Sequence, residues 1–357
     1  MNKPFSLLAL LVALPICFFS SGLAAEPEEI WQDLGKLSGD ERQKFLISKA
    51  KEEGEVAWYT SQSPDVAEPL RHDFETRHPG IKIKIWRGRG EAMSNRMLTE
   101  ARAGKFAVDI ASGAAEFFPV LIKADLIGKH ASPERDFYSS TNKDRDGLWT
   151  NGGDVISVIA YNSNLVSKAE APKTYEDFLN PKWKGSFAID TNPDRMVIGW
   201  LKLWGGEKTE QFLQALMKNG AAVRSGHSLM AQLLCAGEFK AAIELYAHRA
   251  ADLKQKGCPL EMVFPNPTIG AVGPLFVAKR ALHPFAAALL VDYLLSESGQ
   301  KILVDKRRHS GRRGIKVSDP ELDLAKRGVQ TLLSTPEDII RWERNYFELR
   351  ERYLLVR

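Results

Sequence analysis

The chain has 357 residues, of which 44% are hydrophobic, 26% charged and 9% aromatic. That is enough apolar material for about two packed domains, and it excludes a disordered, collagen-like or small disulfide-stapled protein. Its 49 basic and 45 acidic residues give a formal charge of +4, or +3 without Lys3 of the leader described next; a nucleic-acid binder needs a concentrated basic face instead.

Met1 to Ala25 reads as a secretory leader. Lys3 supplies the positive start, Leu7 to Phe19 is an unbroken apolar run of about 13 residues, and Gly22-Leu23-Ala24 offers small residues for cleavage after Ala24 or Ala25. The run is short for a membrane span, which needs about 20 residues. The alternatives are an uncleaved anchor and a lipid-modified Cys17, the latter disfavoured by bulky Ile16 before it. The expectation is an exported chain with no membrane insertion after cleavage. Two cysteines remain, Cys235 and Cys258, in a compartment that permits disulfides. Spacing alone leaves open whether they pair or stay as separate buried thiols.

In chain order, an amphipathic helix is expected from Trp31 to Glu53, ended by Gly54. Val56 to Thr60 then reads as a strand, Pro64 to Arg77 as a helix, and the alternating Ile81 to Trp86 as a second strand after the Pro79-Gly80 turn. Gly88 to Gly90 opens a further helix to Gly104, and Val108 to Ala111 is the next buried strand. Strand, helix, strand, helix, strand implies a parallel α/β sheet. The alternation breaks at Asp144 to Gly153, before the strand Val155 to Tyr161. A second α/β set follows: a helix at Thr174 to Leu179, a strand at Ser186 to Asp190, helices through Trp200 and Leu213, and strands at Ala241 to Tyr246 and Glu261 to Phe264. Pro265-Asn266-Pro267 punctuates again, ahead of a strand at Val272 to Ala278 and helices at Pro284 to Leu295 and Ser298 to Val304. Leu322 to Leu333 and Pro336 to Leu355 read as packing helices. Two breaks imply that the chain crosses between two lobes twice.

These elements, with Trp58-Tyr59-Thr60-Ser61, Phe74 to Gly80, Arg96 and Glu100, Ala103-Gly104, Val108-Asp109-Ile110, Asp146 to Trp149, Tyr161-Asn162, Pro172 to Asp177, Pro181 to Gly185, His283-Pro284 and Ser296 to Gln300, give a sequence that resembles the type 2 periplasmic solute-binding proteins of ATP-binding-cassette (ABC) importers, in the ferric iron-like branch. The likeness spans almost all of the mature chain. It implies a two-lobe α/β fold with a two-stranded hinge, here with extra N- and C-terminal helices: residues 26–154 plus 272–357 as the first lobe and 155–271 as the second. It further implies a monomeric periplasmic protein that needs no cofactor, takes a small-molecule solute in the interlobe cleft and hands it to an ABC transporter permease. Closure requires that ligand touch both lobes.

Ligands of open α/β sheets sit at strand C-termini and helix N-termini. That rule selects Ser61, Gln62, Arg89, Gly90, Glu91, Ser112 and Gly113 in the first lobe, and Thr191, Asn192, Gly226, His227, Ser228, Tyr246 and His248 in the second. The Ser, Thr and Asn positions are equally explained as helix caps. Iron-binding members of the resembled family use adjacent tyrosines, which align here with Ala247 and His248, while their first-loop histidine aligns with Ser63 and Glu100 is the candidate for their glutamate. One nearby phenol, Tyr246, is a thin basis for a ferric site, so a small polar or anionic solute, phosphorylated or carboxylated, is the primary expectation and ferric iron or an iron chelate the alternative. Enzyme readings are weaker. Met93 stands where a dinucleotide motif needs its third glycine, Gly205 to Thr209 departs from a phosphate loop, no HExxH or paired CxxC occurs, and adjacent His227 and Ser228 are poorly placed for a nucleophile–base pair. A binding protein that feeds a sensor is a further alternative.

Overall fold

The computed structural model describes residues 26–88 and 90–355; the leader, Cys17 and Arg89 lie outside the described residues. Two helices come first, α1 (Pro27–Leu34) and α2 (Gly39–Glu53). The one helix expected from Trp31 is interrupted because Ser38 takes extended backbone, φ −140° and ψ 160°, and the N–H of Leu37 turns back to Leu34. Gly54 ends α2 at φ 75°, a conformation that favours glycine.

The expected alternation follows as β1 (Glu55–Thr60), α3 (Pro64–Arg77), β2 (Lys82–Arg87), α4 (Gly90–Arg102), β3 (Ile110–Ser112), α5 (Phe118–Lys123), β4 (Ile127–Gly128) and β5 (Thr150–Asn151). A second series comprises β6 (Val155–Asn162), β7 (Phe187–Asp190), α6 (Asp194–Trp204), α7 (Gly206–Lys218), β8 (Ala222–Arg224), α8 (His227–Ala236), β9 (Ala241–Tyr246), α9 (Ala247–Gln255), β10 (Leu260–Val263) and β11 (Thr268–Ala271). The segment expected as a helix before β7 is a 3-10 turn, Glu176–Leu179. The chain closes with β12 (Pro274–Ala278), α10 (Pro284–Leu295), α11 (Glu297–Asp305), β13 (Thr331–Ser334) and α12 (Pro336–Tyr353).

One sheet runs β2-β1-β3-β12-β4, with β5 also paired to β12, and the other runs β13-β11-β6-β9-β7-β8, with β10 on β6. β1 is parallel to β2 and β3, whereas β12 is antiparallel to β3, so each lobe holds a mixed sheet. α10 is buried at every position but Phe285 and sits between α2 and β1, which explains why it is apolar on all sides. Beneath the second sheet Tyr175 and Phe212 meet Trp200 edge-on, with ring centroids 5.6 and 5.0 Å away.

The C-terminal segment corrects the expected boundaries. Leu322 to Leu333 is not a helix: a 3-10 turn, Pro320–Leu322, leads to β13, which pairs parallel with β11 in the second sheet. α12 packs on α6 and α7 of the second lobe. The first lobe's share after residue 272 therefore ends with α11, and the chain crosses between the sheets three times. α12 also reaches the first lobe, where Trp149 Nε1 donates to Glu337 at 3.0 Å and Lys123 lies 3.2 Å from Glu343.

The first two crossings lie side by side. Asn151, fully buried, accepts through its side-chain oxygen from the N–H groups of Gly153 and Gly273, both at 3.0 Å. Gly273 must remain glycine at this contact, since a Cβ there would lie 2.6 Å from the Gly153 carbonyl oxygen. Cys235 at the end of α8 and Cys258 after α9 are joined in a disulfide, with Cα atoms 5.4 Å apart.

Candidate functional site

A cleft of about 660 Å³ opens between the lobes, a size that suits a metabolite-scale ligand. From the first lobe Ser61 and Gln62 follow β1, and Ser112 and Gly113 end β3; from the second, Thr191 and Asn192 follow β7, His227 and Ser228 open α8, and Tyr246 and His248 bracket the β9–α9 junction. Gly90 and Gly226 line it too, while Glu91 is exposed and outside its walls. Glu100 is also elsewhere. It pairs with Arg96 at 2.6 Å and accepts from Tyr59 Oη at 2.9 Å, which makes the Arg96–Glu100 spacing a packing device.

Several of these side chains are already engaged. The Ser112 hydroxyl accepts from Trp58 Nε1 and shares a hydrogen with Thr60, both at 2.9 Å. Asn192 accepts from Tyr346 Oη of α12, and the Thr191 carbonyl accepts from Arg350 Nε at 3.0 Å. Asp190 holds the second-lobe rim by accepting from the N–H groups of Asn192 and Gly226, both at 2.9 Å. His227 sits between carboxylates, with Nδ1 3.4 Å from Asp190 and Nε2 3.2 Å from Glu244, and it stacks on Tyr246 at a centroid distance of 4.2 Å. No side chain caps the N-terminus of α3, α6, α8 or α9. Residues at all four line the cleft, so positive helix ends face it, with the Arg195 N–H of α6 already given to Asp194 Oδ1 at 2.7 Å.

The charged residues were not legible as site residues. Arg195, in the first turn of α6, is buried and places Nη2 3.0 Å from Glu116 of the first lobe, while its guanidinium lies 4.9 Å over the Tyr246 ring. Burial pulls its pKa down, and Tyr246, Glu116 and Asp194 together raise it above the usual arginine value. Asp194 beside it is raised well above the carboxylate range by burial and by Glu116. Arg249 follows His248 on α9, and its Nε is buried without a partner. Arg308 enters from the loop after α11 and donates to Ser63 Oγ at 3.0 Å. Burial first, and then the fields of Arg308, His309, Arg195 and Arg249, hold His248 well below the ordinary histidine pKa; Arg195 here lies 3.0 Å from Glu116 and Arg308 3.9 Å from Asp65. The strand-end rule stops three positions short of Arg195 and one short of Arg249, and it is silent on Arg308, which belongs to no strand end.

At the hinge, burial lifts Asp154 to about 7 against a hydrogen bond from Asn151. A carboxyl whose folded pKa exceeds its unfolded value of about 3.9 favours folding most when protonated, so stability is lost as pH rises from about 4 through about 7. Asp154→Asn is expected to be more stable than the parent at pH 8, by about 2 kcal/mol, and equal to it at pH 4. Urea titrations at the two pH values test this; a difference independent of pH would contradict it.

Two α/β lobes, strand crossings pinned by one asparagine, and a cleft lined from both sides define a bilobal solute-binding protein. The chain belongs to the bacterial extracellular solute-binding protein family, whose model matches residues 108–323. It is 25% identical over 281 residues to iron uptake protein A1 of Synechocystis sp., covering 71% of this chain and 74% of that one. Its fold is similar to that of iron-bound HitA from Pseudomonas aeruginosa, with TM-score 0.72, 21% identity and coverage of 85% and 99%. It is equally similar to AfuA from Actinobacillus pleuropneumoniae with exogenous fructose-6-phosphate bound, with TM-score 0.71, 21% identity and coverage of 85% and 100%.

Proposed function

We propose that the protein captures a small anionic solute, a phosphorylated or carboxylated metabolite, in the interlobe cleft and delivers it to an ABC transporter permease as a monomeric periplasmic carrier. The observation that carries this reading is that Arg195, Arg249 and Arg308 line one cleft together with His248 at the uncapped start of α9. Arginine forks and free helix N–H groups are matched to oxyanions. Asp190, which lines the same cleft and lies 3.4 Å from His227 Nδ1, suits a hydroxyl or amine group on the same solute. The family is one of binding proteins, and the fructose-6-phosphate on AfuA supports a phosphorylated ligand for a cleft of this architecture.

Ferric iron or a ferric chelate is the second reading, favoured by the iron-binding names of the relatives and by the phenol of Tyr246 beside two histidines. Against it, Tyr246 is the only tyrosine among the described residues that line the cleft, a thin set of anionic oxygen donors for ferric iron. Among the described residues no group of three or more His, Cys, Asp or Glu is placed to hold a metal ion.

A thermal-shift panel of inorganic phosphate, citrate, fructose-6-phosphate, ferric chloride and ferric citrate separates the two. A true ligand at 100 times its Kd adds about 2.7 kcal/mol, a shift of several degrees. The expected result is a shift with an iron-free anion that Arg308→Ala weakens about 10- to 100-fold in calorimetry. A shift with iron alone, accompanied by a visible band that Tyr246→Phe abolishes, would overturn the anion reading.

A further inference from the structure

The pair between Glu116 and Arg195 is half made. One carboxylate oxygen meets Nη2 at 3.0 Å, while Glu116 Oε2 and the Nε and Nη1 of Arg195 are buried without partners. An arginine fork this buried is ordinarily satisfied by two parallel bonds to one oxyanion, and buried donors left unmade are costly. Glu116 rides on the 3-10 turn Ala115–Phe117 that follows β3 in the first lobe, and Arg195 on α6 of the second, so the contact joins the two lobes directly. Both residues line the cleft.

We propose that Glu116 is a built-in stand-in for the solute's anionic group: its carboxylate holds Arg195 and draws the lobes together in the empty protein, and the incoming oxyanion displaces it, satisfying the fork more completely. Glu116 is then a specificity-determining residue. A weakly binding neutral or singly contacting molecule cannot compete with a carboxylate tethered on the opposite lobe, whereas an oxyanion that takes Nη2 together with Nε or with Nη1 can. Its effect is a tax on affinity, because each binding event must first break a contact that already exists.

The inference rests on the anion reading above, and the test separates the two. Calorimetric titration with inorganic phosphate and with fructose-6-phosphate is carried out on the parent chain, Glu116→Gln, Glu116→Asp, and Glu116→Gln combined with Arg195→Lys. Glu116→Gln keeps the side-chain shape, and Glu116→Asp keeps the charge but shortens the reach, so the two fail to fold for different reasons if they fail at all. Both are expected to bind the probe about 10-fold more tightly than the parent, with the gain lost in the combined variant. Small-angle scattering of the unliganded Glu116→Gln chain is expected to show a larger radius of gyration that contracts on adding the probe. If the parent binds an anion and the Glu116 variants bind it equally or more weakly, the stand-in is wrong and the anion reading survives. If no anion binds to any of the four chains, both fall.

Discussion

Asp292→Ala is expected to destabilise the protein by about 3–5 kcal/mol, because it strands Arg42 in the first-lobe core without a counter-charge. Arg42 on α2 places Nη1 2.6 Å from Asp292 Oδ2 on α10, and both side chains are almost wholly shielded, with 7% and 10% exposure. Asp292 sits on α10, the most apolar helix among the described residues and buried along almost its whole length, so solvent is a poor substitute for the lost carboxylate. At roughly 1–2 °C per kcal/mol for a chain of this length the melting temperature should fall by about 5 °C, read by calorimetry of the whole chain. Replacing both partners by hydrophobic residues, Arg42→Met with Asp292→Leu, should recover most of the loss, since the pair's worth lies largely in mutual compensation. Removing Arg344, whose ion pair to Glu348 is 90% and 51% exposed, should change stability by less than about 0.5 kcal/mol. The pair also sets an acid limit. Burial raises the Asp292 pKa, but His130, 3.6 Å away, and Arg42 more than reverse this and hold it below the usual carboxylate value. A depressed folded pKa gives stability that is present above about pH 3.9, the unfolded value, and is lost as pH falls through the lower one. The parent should therefore lose its advantage over Asp292→Ala below pH 4, and an advantage unchanged at pH 2 would refute that assignment.

Elements whose stability is local were readable from the residues. α12 shows its stripe as Ile339, Tyr346 and Leu349, all buried, and Thr335 with Asp338 closes a capping box at its start. β1 and β2 announce themselves by alternation. What the residues concealed is where such elements dock. β13 is four residues long and half exposed, and only its neighbour β11 makes it a strand; in isolation Leu332 and Leu333 continue a helical pattern as readily as a strand. α12 carries no mark that it belongs against α6 and α7. The cleft divides along the same line. Small polar residues at strand ends were legible because one local rule places them, and the structure brings Ser61, Asn192, His227 and Tyr246 to the same space. Glu116 and Arg195 lie 79 residues apart, and the meaning of each is the other. A buried charge pair of this separation has no sequence signature, because its partners are chosen by how the two lobes meet.

Replacing both cysteines, Cys235→Ser with Cys258→Ser, is expected to lower stability by about 3 kcal/mol, from the chain entropy that a closed loop of this length removes from the unfolded state. The two positions are 23 residues apart, and the loop between them contains β9 and α9. It is therefore the segment that delivers Tyr246, His248 and Arg249 to the cleft. The native placement of those residues has a second, independent support. β9 lies inside the second sheet with β6 on one side and β7 on the other, and Ala241, Ala242, Ile243 and Leu245 are fully buried. The bond constrains the unfolded chain, whereas the sheet positions the folded one. Stability and affinity should accordingly separate: the double serine variant unfolds at lower urea with an unchanged slope, yet binds whichever anion the thermal-shift panel identifies within about 2-fold of the parent. Dithiothreitol should reproduce the stability loss in the parent and do nothing to the variant. A parallel collapse of affinity at temperatures where both chains are folded would mean that the disulfide, and not the sheet, holds the β9–α9 junction in place.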